Sequence, residues 1–214
     1  MKTNLSVINK ILLASVSFTI ILIIIRFIYT GRIIYTFYPW NIFLAIIPLL
    51  ASTRLLNQNK PGIKALLYLM IWLLFFPNGP YLVTDLFHFT TRPGCPVWFD
   101  LILVSSGSWN GIIMGTLSLM QVEKFLKRHF ENKWVHVSLL FFITLCGYGV
   151  YLGRFLRFNS WDIITNPIGL ASYIKGSLVH PHQNISVWAF TIIFSLLFGI
   201  IFFSIRELKA ETKR

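Results

Sequence analysis

The sequence predicts an all-α, polytopic membrane fold of about six transmembrane helices, with a short interfacial or re-entrant helix after the third. Three observations carry this. Only 12% of the 214 residues are charged, about half the share usual in a soluble domain, and mean hydropathy is +0.70. The apolar residues lie in long continuous runs such as IILIIIRFIY, far beyond what one face of a soluble helix needs. Those runs do not alternate with polar residues as barrel strands do, and only helices or closed barrels satisfy their backbone in hydrocarbon.

The spans are read at residues 10–29, 33–53, 61–77, 97–120, 134–155 and 187–205, a single integral membrane domain over 1–214. The first starts basic, like a signal peptide. It lacks a short apolar core ending in a small-residue cleavage site, so it reads as a retained anchor. The third covers about 25 Å at 1.5 Å per residue, barely the ~30 Å of a hydrocarbon core. In the fourth, Gly107, Gly111 and Gly115 recur every four residues, a small-residue seam that admits another helix closely.

Orientation follows from Lys and Arg, which concentrate on the cytoplasmic side of membrane proteins. With the N-terminus inside, thirteen of the nineteen fall on the inner segments and six on the outer ones, so both termini are expected in the cytoplasm. The net charge of +12 is then a set of span-flanking residues meeting anionic lipid, and no nucleic-acid partner is implied. Glu123, Glu131, Glu207 and Glu211 all fall on the inner side among lysines, where solvated charges are expected. Asp85, Asp100 and Asp162 all fall on the outer side beside aromatic or aliphatic neighbours. Ionisable groups at membrane edges are costly and are kept for pairing or function, so the outer face is where chemistry is expected.

The stretch FPNGPYLVTDLFHF, residues 76–89, holds the densest group of such residues. Pro77 and Pro80 remove backbone donors and disfavour helix before them, which ends the third span near Phe76. A short helix restarting at Tyr81 places Tyr81, Thr84, Asp85 and His88 at i, i+3, i+4 and i+7, one stripe. That stripe is expected to line a shared pocket, with Asp85 and His88 as candidate general acid and base. Arg154 and Arg157, three apart at the end of the fifth span, are expected side by side. They would pair with Asp85, Asp100 or Asp162, Asp100 in particular, or grip a phosphate or carboxylate.

Other signals are thinner. His180 and His182, with Asp85 and His88, are suitable metal donors by type, but donor type alone names no metal. Cys95 and Cys146 have no metal-knuckle or redox spacing. Ser105, Ser106 and Ser108 lack the surroundings of a hydrolase nucleophile.

The strings FPNGPYLVTDLFH and YLGRFLRFNSWD resemble those of a family of bacterial integral membrane proteins catalogued as domain of unknown function 1361. The resemblance runs from about the third span to Asp162 and through most of the last two spans. It implies a multi-pass protein of the bacterial plasma membrane. It also implies family polar positions at Pro77, Asn78, Pro80, Tyr81, Thr84, Asp85, His88, Arg154, Arg157, Asn159, Trp161 and Asp162. Gly79 and Phe158 depart from the pattern, where alanine or serine, and tryptophan, would be expected. The family supplies no activity.

Together these readings give an outward-facing polar pocket. Asn78, Tyr81, Thr84, Asp100, Arg154, Arg157, Asn159 and Asp162 are its candidate binding residues, and a lipid or lipid-linked anionic head group is its candidate ligand. A transporter built on the broken third helix and a non-catalytic assembly factor are the alternatives. The sequence names no reaction and no cofactor.

Overall fold

A computed structural model describes residues 2–90 and 94–211, with the side chains of residues 2–6 and of His88 outside the described set. Thr91, Arg92 and Pro93, from the loop before the fourth span, also lie outside it. The long helices are α1 (Lys2–Thr30), α2 (Phe37–Leu56), α3 (Ile63–Phe75), α5 (Val97–Leu126), α6 (Asn132–Phe155) and α9 (Ile185–Glu211). Between α3 and α5 come a single turn, α4 (Asn78–Tyr81), and a 3-10 segment, Leu82–His88. Between α6 and α9 come α7 (Asp162–Thr165), α8 (Pro167–Val179) and a 3-10 turn at Pro181–Asn184.

Six stretches are long and apolar enough to cross a membrane: Val7–Thr30, Phe37–Leu56, Ile63–Phe87, Val97–Leu126, Asn132–Phe155 and Pro181–Glu211. They overlap the six expected spans, with ends that differ by several residues. One end of the bundle carries the start of α1, the end of α9 and the α2–α3 and α5–α6 turns. The other, the aspartate end, carries Asp85, Asp100, Asp162 and the short elements.

α5 is the central helix, packing against α1, α2, the α4 break and α9. Lipid tails are as apolar as leucine, so such helices are held by close van der Waals fit and internal hydrogen bonds rather than by hydrophobic burial. Two clusters supply the fit. One gathers Leu55, Trp72, Phe76, Leu119, Leu139 and Phe202; the other gathers Tyr38, Ile42, Leu82, Leu103, Val104 and Met114. Large side chains such as Ile24, Ile28, Ile193 and Ile200 are exposed on the outside of the bundle, the face expected to meet lipid.

The glycine seam of α5 is used as expected: Gly107 admits the ring of Tyr38 on α2, and Gly111 and Gly115 admit the break. A side chain on Gly111 would overlap the Gly79 carbonyl, and one on Gly115 would come within 3.0 Å of Pro80. On the opposite side Gly149 of α6 leaves room for the ring of Pro77. The broken segment is therefore clamped between α5 and α6, and Asp85 is carried inward with it.

One inner-side expectation fails. Glu123 is not solvated: it is buried, 2.8 Å from Lys127 Nζ and 3.2 Å from Arg206 Nη1. It joins the ends of α5 and α9, because its position on α5 faces the bundle and not the water.

Candidate functional site at the helix break

α3 ends at Phe75, as the prolines require, but the chain stays helical through the break. The Tyr81 N–H donates to Pro77 O at 2.8 Å, closing the turn. From Leu82 the winding is 3-10, with about three residues per turn instead of 3.6. The expected α-helical stripe is therefore not formed, since at three residues per turn its i+4 member, Asp85, rotates away from Tyr81. Asp85 falls on the side of Leu82, while Thr84 stays over Tyr81 and donates to Tyr81 O at 2.6 Å. Thr84 and Asp85 are both buried, and Phe87 is exposed.

Asp85 is 0% exposed and lies 3.4 Å from Arg154 Nη2. Asn41 Nδ2 of α2 donates to its other oxygen at 3.3 Å. Arg154 is enclosed as well. It donates to Tyr81 Oη at 3.3 Å and to the Thr84 carbonyl, and its guanidinium lies over the rings of Tyr81 and Phe87 at 5.3 and 5.5 Å. Desolvated cation–π contacts of this kind add up to about 2 kcal/mol. One ion pair thus ties the break to α6 and α2.

Asp100 does not join this group. Arg26 of α1 takes it in a two-pronged contact, Nε to Oδ1 at 2.6 Å and Nη2 to Oδ2 at 3.0 Å, with both residues 1% exposed. The expected pairing of Asp100 with Arg154 or Arg157 is overturned, because α1 packs on the Asp100 face of α5 while α6 holds the break. Arg157 is not beside Arg154 either. α6 ends at Phe155, and Arg157 takes a left-handed φ of 61°, a conformation that strains a residue with a Cβ. It is exposed, next to Phe158 and Asn159.

Asp162 serves its own loop. Its Oδ2 accepts the Asn159 N–H at 2.6 Å and its Oδ1 accepts the Thr165 hydroxyl at 2.7 Å. The Asn159 amide holds this carboxylate below the usual aspartate range. Acid should therefore loosen the turn. The stabilisation is full above the unfolded aspartate pKa of about 3.9 and disappears as the pH falls through the lower folded value. Hydrogen-exchange protection of the Asn159 amide should follow that course, and protection that does not fall on acidification would show the contact is absent.

Beside the break lies a cavity of about 610 Å³ between α3 and α6, reached also by Trp40, Asn41 and Leu44 of α2 and roofed by Leu170 and Ile174 of α8. Its walls are mostly apolar: Met70, Ile71, Leu74, Leu145 and Leu152 among them. Its polar groups are Asn41, Asn78, Tyr81, Tyr148, Asn159 and Ser160. Of the predicted site residues, Asn78, Tyr81 and Asn159 line it directly, and among the described residues no charged one does. Asp85 and Arg154 stand behind it, reaching it through Asn41 and Tyr81. Asp100 lies apart. His88 continues the 3-10 segment, and its side chain falls outside the described residues. Among the described residues no three of His, Cys, Asp and Glu stand together as metal donors.

Asn41, Arg26, Ser160 and Tyr148 went unrecognised in the sequence. Asn41 and Arg26 were legible in kind: an amide in WNIFL and a guanidinium in IILIIIRFIY sit inside apolar spans, where polar groups need partners. Ser160, which accepts from Asn78 Nδ2 at 3.0 Å and donates to Leu74 O at 3.0 Å, carried no signal beyond its loop position.

Fold and site together define a multi-pass α-helical membrane protein whose broken third span is clamped beside an apolar cavity. Residues 40–202 match the family described as "Protein of unknown function (DUF1361)", and the chain belongs to that family. No curated protein and no solved structure matches it.

Proposed function

We propose that the protein binds a lipid, or a lipid-linked molecule, at the outer face of a bacterial plasma membrane, with both termini cytoplasmic. The observation that carries this is the cavity of about 610 Å³, apolar along α3 and α6 and polar at the break. That combination suits a ligand with a hydrocarbon tail and a small polar head. The excess of Lys and Arg at the end carrying the start of α1 and the end of α9 supports the sidedness. Arg157, exposed beside the cavity residues Phe158 and Asn159, is the group to meet an anionic part of such a ligand. Arg154 has a different task, since Asp85, Tyr81 and Thr84 surround it. In this reading Asp85 is a positioning residue that sets Asn41 through the hydrogen bond between them.

Leu145→Trp tests the reading by filling the cavity from α6. The variant should still insert, yet lose the lipid adducts that native mass spectrometry finds on the purified wild-type protein. Arg157→Gln should keep the adducts but lower the preference for anionic over zwitterionic lipid. Equal adducts on wild type and Leu145→Trp would remove the cavity as the lipid site.

A further inference from the structure

Hydrogen-bond accounting at the polar end of the cavity says which kind of head group it takes, given the lipid reading above. The Asn41 and Asn78 amides each have their orientation fixed by an acceptor-only partner. Asn78 Nδ2 spends both hydrogens, one on Phe75 O at 2.9 Å and one on Ser160 Oγ at 3.0 Å. Asn41 Nδ2 is turned to the Asp85 carboxylate. Both amide carbonyls are thereby left as acceptors. Ser160 gives its hydrogen to Leu74 O. Ser177 gives its own to Ile174 O, so in the 2.8 Å contact between Tyr148 and Ser177 the tyrosine must donate, and its oxygen remains an acceptor. Tyr81 accepts from Arg154 and keeps its hydrogen.

The cavity therefore offers acceptors at Asn41, Asn78, Ser160 and Tyr148 beside O–H and N–H donors at Tyr81, Asn159, Trp40 and the second Asn41 hydrogen. A phosphate or carboxylate, which only accepts, would leave the Asn41 and Asn78 carbonyls facing oxygen lone pairs, whereas a hydroxyl both accepts from the donors and donates to those carbonyls. A ligand that donates would satisfy them. From this pattern we infer that the cavity selects a hydroxylated lipid head group, its hydroxyls donating to the Asn41 and Asn78 carbonyls while any anionic group stays outside at Arg157.

The test compares two lipids of equal charge and equal acyl chains on the unaltered, full-length protein in lauryldimethylamine oxide, a detergent without hydroxyls. Phosphatidylglycerol carries two head-group hydroxyls and phosphatidylmethanol carries none. Titration followed by native mass spectrometry should give phosphatidylglycerol an affinity about tenfold higher, the scale of one or two well-made hydrogen bonds. Equal affinities, or a preference for phosphatidylmethanol, would overturn the hydroxyl selection and leave the lipid site standing. Binding of neither lipid would overturn the selection together with the lipid reading beneath it.

Discussion

Asp100→Ala should destabilise the protein by about 3–5 kcal/mol, the cost of leaving a buried guanidinium without its carboxylate. Arg26 and Asp100 are each 1% exposed and meet through two hydrogen bonds, so water cannot take over the lost role. The guanidinium also lies 5.1 Å over the Tyr35 ring, which holds it in place and keeps it from swinging to solvent. The pair fastens α1, whose packing runs mainly to α5. Deeper along the same interface Thr19 bonds to Ser106 at 2.9 Å and receives Asn110 Nδ2 at 2.8 Å. Thermal unfolding in detergent measures the loss. Because well-packed apolar residues replace buried pairs at little cost, Arg26→Met combined with Asp100→Leu should recover most of it. Strict additivity of the two single changes would show that the residues do not interact in the folded protein. Arg154→Ala should not reduce the effect of Asp100→Ala, since its carboxylate is Asp85.

The spans and the break were legible in the sequence because each rests on a local rule: apolar length, a proline pair, a four-residue glycine repeat. The partners of the charged groups were not. Three aspartates and several arginines share one end of the bundle, and spacing along a helix does not say which neighbouring helix faces it. Arg26 shows the cost of reading it as a topology marker at a span's edge: it is enclosed within the bundle against Asp100. Glu123 shows the same at the other end, where a residue among lysines turned out to face α9. The polar stripe failed for a different reason. Its spacing assumed 3.6 residues per turn, whereas the segment after the clamped turn, packed on α5, winds as a 3-10 helix. The cavity is a product of assembly, since α2, α3, α6 and α8 each supply only part of its wall.

Gly111→Ala should disrupt the protein far more than its size suggests. The added methyl would overlap the Gly79 carbonyl oxygen and lie 2.6 Å from Leu82 Cβ. Neither is the free end of a flexible side chain, so relief requires the break to move off α5. It cannot move freely, because Pro77 already fills the space left by Gly149 on α6, where a methyl would stand 2.6 Å from the proline ring. Overpacking of this sort costs about 1–3 kcal/mol or more, while the better helix propensity of alanine returns at most about 1. A graded series separates the two effects. Gly115→Ala meets Pro80 at 3.0 Å and should be milder, and Gly199→Ala, whose nearest neighbour is 3.9 Å away, should be neutral or stabilising. Melting temperatures should fall in the order Gly199→Ala, Gly115→Ala, Gly111→Ala. The cavity should suffer in the same order, because Pro77, Asn78 and Tyr81 line it from the displaced segment, so lipid adducts should weaken as the melting temperature drops. A Gly111→Ala protein as stable as Gly199→Ala would mean that the break does not rest on the glycine seam of α5, and that Asp85 is brought into the bundle by some other contact.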